Sequence, residues 1–178
     1  MSKDTKKVVK TESDLQKLIE DTRKLRKAVK PVYNPNGFVI LNGMEIANYR
    51  NSGFPTFKDI KLVLEECLHK YKPVSIVVDS SLRYLLPEDE VPDYEQSLQT
   101  GIQIRNIIVP IIEVGTYEDA VIKLLKLALD NNAKVLCNQD LVETYEIIKQ
   151  KKIPNAFKGK KFQLSYEIQK SGEIAIFE

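Results

Sequence analysis

Apolar positions along the chain alternate between two spacings, and the alternation itself predicts the architecture. Phe38–Leu41 and Val74–Val78 are short continuous apolar runs, as expected of strands covered on both faces. Ile107–Val109, interrupted or ended by Pro110, and Lys134–Cys137 read as a third and a fourth strand. Between them the spacing changes to that of helices. Thr56 can cap a helix with Asp59 three residues on, and Ile60, Val63, Leu64, Cys67, Leu68 and Tyr71 then form one stripe, ended by Pro73. Tyr94–Thr100 reads as a short helix stopped by Gly101. Thr116 caps another, with Val121, Leu124, Leu125 and Ala128 as its apolar face, and Asp140–Lys149 is helical. Phe162–Ile168 and Ile174–Phe177 alternate around Lys170-Ser171-Gly172, which is a hairpin pattern.

Strands alternating with helices predict an α/β fold: a doubly wound, mainly parallel sheet closed by a C-terminal β-hairpin. Residues 1–36 stand apart from it. Residues 1–12 read as a disordered lysine-rich tail. A capping box of Ser13 and Gln16 then opens a basic helix over about Asp14–Val29, with Leu15, Leu18, Ile19 and Leu25 on its apolar face. Lys30-Pro31 and Asn34-Pro35-Asn36-Gly37 link it to the main domain, residues 37–178. Self-association, giving a homodimer, or cover for one side of the domain is the expected role of that helix.

Composition changes this picture little. The 178 residues are 43% hydrophobic and 29% charged, ordinary for a globular domain, and the net charge of +2 does not by itself imply nucleic acid. No apolar run approaches the roughly 18 residues of a membrane span, so no membrane partner is expected. Cys67 and Cys137 sit in no CxxC pair, which argues against a thiolate zinc site and for an intracellular, cytoplasmic setting.

Chemistry enters through the acids. In a parallel sheet the carboxyl ends of the strands share one edge, where such folds bind ligands. Asn42, Asp79 and Asp140 follow strands, and Glu45, Glu118, Asp119 and Glu143 lie within reach of the same rim. Hard Mg²⁺ or Mn²⁺ ions take such oxygen ligands and assist phosphoryl chemistry. Each acid also has an ordinary role: Asp119 and Asp140 as helix caps, Glu118 in a first turn favoured by the helix dipole, Glu143 on a solvated helix face. Arg83, following the second strand, and Arg50 are candidate phosphate contacts, or plain surface charge. His69 is the sole histidine, which excludes a two-histidine mechanism, and no phosphate-cradling glycine loop is present.

From Gly37 to Glu178 the chain resembles the NYN/PIN-like ribonucleases, in particular the Regnase-like nucleases found joined to CCCH zinc fingers. The resemblance rests on Leu41-Asn42-Gly43-Met44-Glu45-Ile46-Ala47 after the first strand and on Ser81-Leu82-Arg83 after the second. It continues through the acidic pair Glu118-Asp119, Asn138-Gln139-Asp140 after the fourth strand, and the closing hairpin. It implies a Mg²⁺- or Mn²⁺-dependent endoribonuclease acting on single-stranded or stem-loop RNA. Asp119, Asp140, Glu118, Glu45 and Glu143 would then be metal ligands, Asn42 an orienting group, and Arg83 and Arg50 substrate contacts. The chain departs from the family pattern in two places: Asn42 stands where the family has aspartate, with Glu45 where it has asparagine, and the second acid after the fourth strand is displaced, Thr144 standing at the expected spacing with Glu143 beside it. A second reading therefore stands beside the first, an RNA-binding or scaffold protein that keeps the fold without the chemistry.

Overall fold

The computed structural model describes residues 37–50, 53–150, 152–157 and 161–177. The expectations for the N-terminal tail and the Asp14–Val29 helix lie outside them. The central strand is β1, Val39–Asn42, with all four residues buried. Its parallel neighbours are β2, Val74–Asp79, and β6, Lys134–Leu136, in the registers Leu41↔Ile76 and Leu41↔Leu136. Strand β5, Ile111–Val114, lies parallel beyond β2, and β7, Gln163–Ile168, parallel beyond β6. Strand β8, Ile174–Phe177, closes the far edge antiparallel to β7. The order β5-β2-β1-β6-β7-β8 is that of a doubly wound α/β sheet, with its reversal between β1 and β6.

Alternate residues of the central strands feed two cores, as the period of two demands. Val39, Leu41, Ile76, Val78 and Leu136 face one layer and Ile40, Val77, Val135 and Cys137 the other. The first layer holds α1, Gly43–Ala47, α2, Phe57–Lys70, α3, Leu82–Leu85, and α4, Val91–Thr100. The second holds α5, Tyr117–Asn131, and α6, Leu141–Lys149. The expected stripe of α2 is realised, with Ile60, Val63, Leu64 and Cys67 fully buried. No described helix is long and apolar enough to cross a membrane.

Two elements differ from expectation. Ile107–Val109 is a strand as expected, but it does not join the six-stranded sheet: as β4 it pairs antiparallel with β3, Ile102–Ile104, in a separate two-stranded sheet. Pro110 has no N–H for a ladder, so it divides the apolar run, and the sheet strand begins only at Ile111. Helix α1 was not expected at all. It starts directly at the end of β1, where a side-chain oxygen of Asn42 accepts from the Glu45 amide at 3.5 Å. Gly43 permits this abrupt turn, since a Cβ there would lie 2.6 Å from Val78 Cγ1 and 2.8 Å from Ile76 Cγ2.

A candidate ligand cleft at the carboxyl ends of the strands

At the reversal point the connections from β1 and β6 leave for opposite faces and open a cavity of about 700 Å³. That lies within the roughly 300–1,000 Å³ typical of ligand clefts. Asn42, Met44, Glu45, Asn48 and Tyr49 line it from the end of β1 through α1 and just beyond. Asp79 and Ser81 enter from the end of β2, Tyr117 from the start of α5, and Asn138 and Gln139 from the loop after β6.

Glu45 ties α1 to that loop. Its carboxylate accepts from the backbone amides of Asn138 (2.7 Å) and Gln139 (3.0 Å) and from the Cys137 thiol (2.7 Å). Burial first, and then the charge and hydrogen bond of Glu45, push the Cys137 thiol far up, so it stays a donor. The Asn42 amide, 2% exposed, donates to the same sulfur at 3.4 Å. Behind this cluster the Tyr166 hydroxyl is buried beside the Glu45 carboxylate, with no well-aligned hydrogen bond among the described residues. Burial, and after it the charge and proximity of Glu45, raises its pKa. Asn138 clamps the loop onto β7 by donating to Tyr166 O (2.8 Å) and accepting from Tyr166 N (2.9 Å). On the opposite wall Asp79, also 2% exposed, turns Oδ1 to the amide and hydroxyl of Ser81.

The expected site residues divide. Asn42 and Glu45 line the cleft, whereas Asp119, Glu118, Asp140, Glu143, Arg83 and Arg50 do not. Asp119 exchanges bonds with the N-cap Thr116: its amide donates to Thr116 Oγ1 at 3.1 Å, and the hydroxyl donates back to Asp119 Oδ2 at 2.8 Å. Asp140 is the N-cap of α6, with Oδ1 accepting from the amides of Val142 (2.9 Å) and Glu143 (3.0 Å). Glu118 and Glu143 are exposed in first turns. Arg50 pairs with Asp59 at 3.2 Å, and Arg83 with Glu113 at 3.4 Å. Sequence reasoning missed Asn48, Tyr49, Tyr117, Asn138 and Gln139 as cleft residues. The signal for Asn138 and Gln139 was their place directly after a strand, the same signal that singled out Asn42.

Mg²⁺ and Mn²⁺ are usually held by one or two carboxylates together with several waters. Among the described residues no group of three or more His, Cys, Asp or Glu side chains is gathered for a metal, so no all-protein cage is formed there. Of the two carboxylates that line the cleft, Glu45 is taken up by three hydrogen bonds, and Asp79 Oδ2 is left without a donor among the described residues. Among the described residues the lining also contains no Lys, Arg or His. Fold and cleft together define a doubly wound α/β domain with a ligand-sized, acceptor-rich cleft at its switch point. No known family model matches the chain, and no curated protein matches it either.

Proposed function

We propose that the chain is a PIN/NYN-like domain that binds single-stranded or loop RNA at this cleft and has given up metal-dependent cleavage. The observation that carries the reading is the pairing of aromatic rings with side-chain amides. Tyr49 and Tyr117, 36% and 41% exposed, flank a cleft into which Asn48 and Gln139 project. Unstacked bases are held by stacking on aromatic rings and by hydrogen bonds to their edges. Exposed Lys149, Lys152 and Lys161 offer phosphate contacts outside the cleft.

The test is fluorescence anisotropy with a labelled single-stranded RNA. Stacking is worth about 1–3 kcal/mol per base, so Tyr49→Ala with Tyr117→Ala is expected to weaken binding about tenfold or more. Unchanged binding by the double variant would remove the cleft from the account.

A second reading, a Mg²⁺- or Mn²⁺-dependent endoribonuclease, is favoured by the opening of Glu45 and Asp79 onto one cleft. It calls for cleavage in Mn²⁺ that EDTA abolishes and that both Asp79→Asn and Glu45→Gln abolish. We expect intact RNA in every lane.

A further inference from the structure

A count of donors and acceptors narrows what the cleft takes, beyond RNA in general. Each amide of the lining gives at least one of its two N–H groups to the protein. Asn48 Nδ2 donates to Met44 O at 2.9 Å, and the carbonyl partner fixes which way that amide faces. Gln139 Nε2 donates to Thr144 Oγ1 at 3.0 Å. Thr144 gives its own proton to Asp140 O at 2.7 Å, so its oxygen accepts, and the Gln139 orientation is fixed too. Asn42 and Asn138 turn their nitrogens to Cys137 Sγ and Tyr166 O. The Ser81 hydroxyl is given to Asp79.

The oxygens remain. Among the described residues no partner meets Asp79 Oδ2, Asn48 Oδ1 or Gln139 Oε1, because the Asp79 bonds all go to Oδ1. Asp79 is a carboxylate in a side chain 2% exposed, with one oxygen satisfied and the other left for the cleft it lines. A buried charge in this state is stabilised by a donor and destabilised by another anion. With Glu45 as a second carboxylate and no Lys, Arg or His among the described lining residues, a phosphate is disfavoured here.

We propose that the cleft is a nucleobase subsite selective for guanine, with the phosphodiester held outside it. Guanine carries an imino N–H and an amino group side by side, the most donor-rich Watson–Crick edge of the RNA bases. Its flat rings suit the two tyrosines, and Asp79 Oδ2, Asn48 Oδ1 and Gln139 Oε1 are the acceptors. This rests on the RNA-binding reading and adds to it the base and the edge that is read. A guanidinium or polyamine shares the donors, but the rim tyrosines and Met44 favour a planar, largely apolar ring system.

Equilibrium binding to the full chain, followed by tyrosine fluorescence, tests this with guanosine, adenosine, cytidine, uridine, guanosine monophosphate, inorganic phosphate and spermidine. One well-made base-edge contact is worth about 1–3 kcal/mol, so guanosine is expected to bind about tenfold tighter than the other nucleosides. The monophosphate should bind no tighter than guanosine, and phosphate alone should not bind. Asp79→Asn keeps an oxygen for Ser81 and is expected to lose the guanosine preference while unfolding in urea with the parent. Tyr49→Ala should weaken all nucleosides alike, because its ring makes no hydrogen bond to the three acceptors, whereas the Tyr117 hydroxyl accepts from Gln139 Nε2. Equal binding of the four nucleosides overturns the subsite, as does a much tighter monophosphate or saturable spermidine binding without guanosine binding. RNA binding that depends on Tyr49 and Tyr117 but shows no guanine preference removes the subsite and leaves the RNA reading. Guanosine binding without RNA binding does the reverse.

Discussion

Glu45 is the side chain on which most of the cleft's internal bonding converges. Its carboxylate takes two backbone amides of the β6 loop as well as a thiol, so it holds that loop whatever ligand is bound. Bonds to a charged acceptor contribute about 1.5–3 kcal/mol each, and Glu45→Gln keeps the shape while removing the charge. We expect it to lower unfolding stability by about 2 kcal/mol, read from urea melts. The two cysteines should behave alike in a different test. Burial pushes the Cys67 thiol up to about 12, and burial with Glu45 pushes Cys137 higher still. Thiolate is the reactive form, so a thiol reagent at about pH 8 should label neither until denaturant is added. Asp59 carries a pH dependence. Burial raises its carboxyl above the usual range, although Arg50 and Thr56 act against the shift. The folded state therefore keeps that proton to higher pH than the unfolded one. Its contribution to stability is fullest below the unfolded pKa and is lost as pH rises through the folded value. Urea melts across the acidic range should show that slope reduced in Asp59→Asn.

At the scale of elements, the caps were the most legible feature of the chain because they are local. Thr56, Thr116 and Asp140 each precede an apolar stripe by a fixed offset, and each accepts from the expected amides. Asp140 gives the sharpest check of cap against ligand. Asp140→Ala should cost about 1 kcal/mol and Asp140→Asn little, since asparagine caps nearly as well, and guanosine affinity should follow neither. Pro110 shows where legibility ends. Hydrophobicity is continuous from Ile107 to Val114, and only the missing N–H decides which part joins the sheet. Helix α1 was illegible for another reason: it depends on close contact with β2, which no local pattern reports. Gly43→Ala would press a methyl onto Val78 and Ile76, and by overpacking is expected to cost about 1–3 kcal/mol in the same melts.

For the molecule as a whole, parallel topology alone placed the cleft at the correct edge, since every strand delivers its carboxyl end there. It could not say which of two adjacent residues would face inward. Gln139 lines the cavity, while Asp140, its chain neighbour, turns to cap α6. One peptide thus exchanges an acid for an amide and changes the chemistry on offer. The bonds that assemble the cleft are also among the most distant in the chain. Glu45 meets Asn138 and Gln139 across 93 and 94 residues, whereas β1 meets β2 across far fewer. Closing longer loops costs more entropy, and contacts distant in sequence slow folding. During synthesis β1, α2 and β2 emerge well before β6, so the β1 edge that β6 covers has no partner until β6 is made. Such an edge is prone to mispairing, and only the arrival of β6 covers it and creates the cleft at the same moment. Ligand occupancy is therefore a readout of completed folding, and a ligand present during refolding should raise the yield of the final state without speeding its early steps.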